Sequence, residues 1–464
     1  MGKLDIKTYL ASHKGKPVNR LFYKIMRAFV AGPQAKKMNY EVIDNVGVKD
    51  LKGPFIVVSN HTSRCDWEYV GCALYPQPMN YMASDIEFHR AHMHLIFKLC
   101  RVIPKKNFVA DFHCIREIKS VISKGGNVIF FPEGKSSISG TNQPILPGTS
   151  ELFKNLGVPV IATRISGGYL SNTQWNIKNR PGKVEITVDR LFTPEEIKEL
   201  SVSEMDARIN AAIYNDDFEW NKTKRIKFAG NEDVAVKLEE HLYWCPKCGA
   251  ELTTHGEGNT FRCTACGNGT TIDEYYDLHP LAPDCVIPKN LRVWFELQRR
   301  REYRAIKDNP DYLLEEKVKI GTLPTDHYVE KTKTSEIVGE GVIRLTRDEF
   351  SFVGTKNGEP FELHNKTVNM ISVVMETDSS CFGAYFAGQY YEFHPERKVT
   401  TKWQIAVEEV HRAAGGKWQN TLPAQQWIYE DDKPTDREEY FLPTEEKVEE
   451  NAGNAENAEN ASLS

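Results

Sequence analysis

Residues 59–68 read SNHTSRCDWE and set His61 and Asp66 five positions apart. An imidazole is the side chain best suited to take and return a proton near neutral pH. A carboxylate bonded to one of its ring nitrogens fixes the tautomer and stabilises the imidazolium that forms. A base held in this way accelerates proton transfer by ~10²–10⁴-fold. The pair directly follows the apolar run FIVV at 55–58, so both residues would stand where a buried strand ends in a turn. Taken alone, the spacing also fits a polar capping turn with no chemistry.

A second stretch has the same form. VIFFPEGKSS at 128–137 is an apolar run that ends in a polar, glycine-containing turn, and VPVIA follows at 158–162. Gly134 permits close backbone approach, and the amides of such a turn can meet an anionic oxygen. The order NHxxxxD, then FPEG, then a VPV strand resembles the glycerolipid and lysophospholipid acyltransferases, including those acting on 1-acylglycerol 3-phosphate, over roughly residues 40–220. The resemblance implies transfer of a fatty acyl group from acyl-CoA or acyl-carrier protein to a hydroxyl of a lipid acceptor, with no catalytic cofactor. It makes His61 the general base and Asp66 its orienting partner. Cys65, inside the first motif, occupies a spacer position. Glu133, Gly134, Lys135, Ser136 and Ser137 fall in the acceptor-binding turn. Two departures stand out. Ser136 is where relatives acting on glycerol phosphates carry an arginine, and Lys105 or Lys106 stands where a second phosphate-contacting arginine falls. Lysine lacks the bidentate fork of arginine. The acceptor can therefore be a lysophospholipid, a glycerol phosphate or a non-glycerophosphate lipid, and a catalytically silent lipid-binding scaffold is the rival from another class.

Four cysteines form the other constellation. CPKCG at 245–249 and CTACG at 263–267 pair Cys245 with Cys248 and Cys263 with Cys266. Two CxxC knuckles at this separation resemble a zinc ribbon, in which four thiolates close a tetrahedral coordination sphere around a structural Zn²⁺; iron is the alternative. Acidic residues surround the module, which disfavours nucleic acid as a partner. His89, His92 and His94 also lie close together, on what reads as a helix surface.

These groups need positioning elements. Apolar runs at 55–58, 128–131, 158–162 and 184–188 alternate with helical patterns such as 112–123, which predicts an α/β domain over 41–235 with a mixed sheet flanked by helices. The segment 194–231 reads as helical. The ribbon follows at 241–275 and a helical connector at 276–311, with its helix at 290–307. A β-rich domain spans 312–430 with a closing helix at 402–414, a pattern suggestive of a pleckstrin-homology-like barrel. Residues 431–464 are acidic and repetitive, with Leu463 the one large apolar residue after Val448, and are expected to be disordered.

The formal charge of −5 gives no sign of nucleic-acid binding by the whole chain. Residues 1–40 differ, with nine basic side chains against Asp5 alone. Over 18–30, Val18, Leu21, Phe22, Ile25 and Phe29 fall on one helical face and Arg20, Lys24 and Arg27 on the other. That is the pattern of an interfacial helix that lies on a membrane surface. There is neither a spanning apolar run nor a secretory signal, so the expected place is cytoplasmic and peripheral to a membrane, with reduced thiols.

Overall fold

The computed structural model describes residues 5–430 and 439–443. Its N-terminal half is built on a six-stranded mixed sheet. In spatial order the strands are Tyr40–Asp44, Val184–Phe192, Val160–Ser166, Ile56–Ser59, Asn127–Phe130 and Met79–Asn80. All neighbours are parallel except Val160–Ser166 and Val184–Phe192, which run antiparallel. Ile56–Ser59 and Asn127–Phe130 are buried throughout, as expected for parallel strands covered on both faces. Val57, Ile129 and Ile161 face the helix Asp66–Ala73 and the N-terminal arm. Ile56, Val58, Val128 and Phe130 face the helices Phe112–Ser123 and Val202–Ile213. The predicted helix at 112–123 forms over those residues, with Asp111 capping it by accepting from Cys114 N.

The register explains how two motifs 72 residues apart come together. Val58 pairs with Phe130 on adjacent parallel strands. His61 and Glu133 each lie three residues beyond that pair, past the carboxyl ends where open α/β sheets place their ligands.

A four-stranded antiparallel sheet, Leu278–Pro280, Gly269–Ile272, Thr260–Cys263 and Thr254–Glu257, carries the cysteine knuckles. One apolar cluster joins this module to the first domain: Trp175 and Phe218 pack in it with Phe261, Ile272 and Trp294. The 18-residue helix Leu291–Asp308 connects the parts and is largely buried. Its Gln298 accepts from Tyr243 N and donates to His241 O, and Trp294 donates to Trp244 O.

The C-terminal half is a seven-stranded antiparallel sheet in the order Glu359–Lys366, Glu349–Lys356, Glu336–Leu345, Leu314–Thr322, Gln389–Pro395, Phe382–Phe386 and Val374–Met375. The helix Thr400–Ala413 closes it, with Trp403, Val407 and Val410 against Phe350 and Phe382. Of the tail expected to be disordered, residues 431–438 and 444–464 lie outside the described residues. Residues 439–443 depart from that expectation. Tyr440 O accepts from Lys289 N, Leu442 N donates to Ile287 O, and Tyr440 stacks on Trp427 with centroids 4.5 Å apart. Tyr440, Phe441 and Leu442 are apolar anchors within an otherwise polar stretch.

The basic arm is helical over Arg20–Met26, continues as a π-helical turn over Arg27–Ala31, and resumes over Gly32–Lys37. Its expected single apolar face splits in two. Val18 is buried and Phe22 half-buried, whereas Leu21 and Phe29 are 68% and 78% exposed, and Tyr23, outside that face, is buried as well. The stripe is too wide for one contact, so one edge packs on the domain and the other faces outward. Among the described residues no helix is long and apolar enough to cross a membrane.

Candidate active site and cysteine cluster

His61 is about three-quarters buried and its Nδ1 lies 2.8 Å from Asp66 Oδ2. Asp66, the first residue of its helix, is fully buried. Its carboxylate also accepts from Thr62 Oγ1 (2.7 Å), Ser63 Oγ (3.0 Å) and Ser63 N. An ionised carboxylate can stay buried when this many donors meet it. Its bond to Nδ1 leaves Nε2 of His61 as the nitrogen available for proton transfer. The ring also packs on Phe131, with centroids 4.5 Å apart.

His61 lines a cavity of about 700 Å³, within the size range of small-molecule sites. Phe22 and Met26 of the arm, Ile96 and Phe97 of the neighbouring helix, Trp67, and Ile129 of the sheet form apolar walls. Val374, Met375 and Gln404 add a wall from the C-terminal half. Arg64, the third spacer residue of the histidine motif, also lines it. Its guanidinium donates to Asn179 Oδ1 (3.0 Å) and Ile177 O, and among the described residues no carboxylate lies within ion-pair distance. Spacing gave no reason to single out Arg64, and the long-range walls from the arm and the C-terminal half carry no local signal at all.

The residues predicted for the acceptor turn divide. Glu133 is 1% exposed, and both its carboxylate oxygens are engaged: Oε1 accepts from His61 N (2.8 Å) and Asn142 Nδ2 (3.0 Å), and Oε2 from Gln143 N (2.7 Å). Burial pushes this carboxyl up to about 7 against the pull of those donors. Ser137 N donates to His61 O (2.7 Å), and its buried hydroxyl bonds Thr141 O and Gly140 N. Glu133 and Ser137 thus stitch the two motif turns together and face away from the cavity. Gly134, Lys135, Ser136 and Lys105 line the cavity. Gly134 has φ +78°, and a Cβ there would lie 2.5 Å from Leu146 Cδ1. Ser136 Oγ accepts from Gln174 Nε2. Burial lowers the Lys105 ammonium pKa. Lys106 turns away, donating to Gly388 O (3.2 Å) with its ammonium 5.7 Å from the Tyr385 ring.

Lys135 has a partner that local spacing could not reveal. Its ammonium contacts Glu408 of the helix Thr400–Ala413, a fully buried residue 273 positions away. Glu408 also meets Arg299 (2.8 Å) and accepts from Ser372 Oγ (2.6 Å). Burial alone would raise the Glu408 carboxyl; Lys135, Arg299 and Arg412 together hold it down at about 2. Desolvation draws Lys135 down to about 8 despite this pairing. With three cations around one carboxylate, the ionised form of Glu408 governs the pair.

The four ribbon cysteines converge. Cys245 Sγ is 3.7 Å from Cys266 Sγ, Cys248 Sγ is 3.8 Å from Cys263 Sγ, and all four lie within 4.8 Å of one another. Thiolates about 2.3 Å from a tetrahedral centre stand about 3.8 Å apart, so the donor set fits a Zn²⁺ ion. Each knuckle closes through a glycine at positive φ, with Gly249 N bonded to Cys245 O and Gly267 N to Cys263 O. The histidines at 89–94 do not converge. His89 Nδ1 meets Pro324 O and His94 Nδ1 meets Phe88 O.

Residues 35–166, which include both motif turns, match the family model described as Acyltransferase. None of the curated proteins matches the chain. Among solved structures, the chain is similar to the 1-acyl-sn-glycerophosphate (LPA) acyltransferase PlsC from Thermotoga maritima. The identity is 19% and the TM-score 0.37, over 44% of this chain and 81% of that one. The segment that holds His61, Asp66 and the FPEG turn thus lies wholly within the residues that match the Acyltransferase family model.

Proposed function

We propose that this protein transfers a fatty acyl group from acyl-CoA or acyl-carrier protein to a hydroxyl of a lysophospholipid or glycerol-phosphate acceptor. The observation that carries the proposal is the His61–Asp66 pair, whose imidazole lines a large, mostly apolar cavity. In this reading His61 Nε2 takes the proton of the acceptor hydroxyl as its oxygen attacks the thioester carbonyl. The C–S bond then breaks, and the imidazolium returns the proton to the departing thiolate while Asp66 stabilises the charged ring. The acyl chain would occupy the apolar walls. A cysteine nucleophile is not needed, and Cys65 suits the role poorly, because burial, reinforced by Glu68, pushes its thiol up to about 12.

A second reading concerns the acceptor. Lys135 is already neutralised by Glu408, Ser136 carries no charge, and Lys106 faces elsewhere. Arg64 and Lys105 are then the cavity-lining cations left to meet a headgroup, and the departures at 106, 135 and 136 support a lysolipid with a larger headgroup or a non-glycerophosphate lipid as acceptor. The four cysteines would hold a structural Zn²⁺, and the seven-stranded sheet with its closing helix is compatible with a pleckstrin-homology-like domain. The exposed ridge of Leu21, Ile25 and Phe29, with Arg20 and Lys24 beside it, supports peripheral attachment to a membrane on the cytoplasmic side.

The test is transfer of a labelled long-chain acyl group from acyl-CoA, and separately from acyl-carrier protein, to a panel of lysolipids and glycerol phosphate. Transfer to one acceptor class that is lost in His61→Ala is the expected result. Absence of transfer from both donors to every acceptor would overturn the proposal.

A further inference from the structure

Away from the cavity described above, three metal-binding side chains meet in the C-terminal half. The ligand atoms of Cys381, Glu392 and His394 lie within 4.8 Å of one another. We propose that these three residues bind a divalent transition-metal ion, with Zn²⁺ the best match, at a site separate from the four-cysteine cluster. A thiolate, a carboxylate and an imidazole are a donor set that borderline ions accept, and three protein ligands leave a fourth position for water or a hydroxyl.

The fold brings the three together by register. Glu392 and His394 are two apart on the strand Gln389–Pro395 and so share one face, opposite the apolar core that holds Tyr391 and Phe393. Cys381 immediately precedes the neighbouring strand Phe382–Phe386. On both flanks Glu392 is paired with a glycine, Gly383 on one side and Gly321 on the other. A Cβ at Gly321 would stand 2.1 Å from Ser335 Oγ, so only glycine leaves room for Ser335 beside the carboxylate. Cys381 and Glu392 are buried, while His394 is about one-quarter exposed and gives an ion a way in.

Hydrogen bonds already link the set. His394 Nε2 is 2.9 Å from Glu392 Oε2 and 3.2 Å from Ser335 Oγ. Thr334 donates to Glu392 at 2.5 Å and lies 3.7 Å from Cys381 Sγ, and Ser335 also donates to Glu392. An ion would replace the His394–Glu392 bond, take the thiol proton of Cys381 into solvent, and leave the two hydroxyls as outer partners of the carboxylate. It would also fix the rim of the cavity. Cys381 O accepts from Glu376 N (3.0 Å), and the Glu376 carboxylate, which lines that cavity, holds Arg90 (3.0 Å).

The experiment uses the reduced full-length chain, stripped with a chelator, reloaded with Zn²⁺ or Co²⁺ and freed of excess ion before metal is counted per chain. Wild type is expected to hold one ion more than either Cys381→Ala or His394→Ala, and the four-cysteine cluster cancels in that difference. The Co²⁺ form should lose a single-thiolate charge-transfer absorption in Cys381→Ala. Thr334→Val removes a hydrogen bond but no ligand and should keep the wild-type count. Equal metal content in wild type and both ligand variants overturns the site. So does a loss in Thr334→Val equal to that in Cys381→Ala, because the loss would then follow from disturbed packing.

Discussion

The two motif turns leave adjacent parallel strands at the same offset, yet their polar residues meet opposite fates. In the first turn the carboxylate is buried and the imidazole is left with one nitrogen to act. In the second the carboxylate of Glu133 is consumed by three donors, two from Asn142 and Gln143 and one from the backbone of His61. One turn presents a reactive group and the other holds it in place. Residue type within a motif does not distinguish these roles; the partner list does.

The comparison breaks most sharply by mutation of its two ends. His61→Ala should lower kcat/KM for acyl transfer ~10²–10⁴-fold while the chain stays folded, because Asp66 keeps its Thr62 and Ser63 donors. Glu133→Gln should do the reverse in stability, costing about 1–3 kcal/mol as buried amide donors lose an acceptor. Paired kinetics and thermal melts would read both. Equal stability losses would erase the distinction.

The larger stability effect belongs to the other charged end of the second turn. Glu408→Gln should cost about 3–5 kcal/mol by leaving Lys135 and Arg299 buried without their shared carboxylate. The two glutamates also carry opposite pH signatures. The folded value of Glu408 lies below the ordinary one, so its stability contribution is present above about pH 4.5 and is lost as pH falls toward 2. That of Glu133 is raised, so its contribution is full below about pH 4.5 and is lost as pH rises through 7. Tm measured against pH in wild type, Glu133→Gln and Glu408→Gln should show each slope vanish in its own variant.

The smallest effect separates two neighbouring lysines. Lys106→Met should change the acceptor KM less than about twofold, since its ammonium serves the C-terminal half, whereas Lys105→Met alters the cavity wall and should move KM by more. Steady-state kinetics with one acceptor suffices to compare them.

Much of this was legible in local sequence. The apolar runs at 55–58 and 128–131 became the central parallel strands, shifted by one residue, because β-branched residues bounded by polar turns have few other uses. The histidine, its aspartate and the four cysteines were found where their spacing put them, since both arrangements are built within one or two turns. The limits lie with partners far along the chain. Glu408 and Gln404 sit on a helix whose pattern shows only a core-facing stripe, and nothing near Lys135 announces them. Arg64 stands among the four residues between the histidine and the aspartate, where spacing assigns no role. Helical periodicity gives the arm a single apolar face because it records width, not which edge finds a neighbour. The tail composition hid the few apolar residues that dock at 439–443.

The wall contributed by Val374, Met375 and Gln404, together with the Lys135–Glu408 contact, bears on inheritance. A chain ended after the first sheet would keep both motifs intact while opening one side of the cavity and leaving a cation without its counter-charge. Recombination with a relative that carries only the first domain would meet the same mismatch. The two halves are therefore bound to vary as a pair, and substitutions at 135 and 408 should be compensated together.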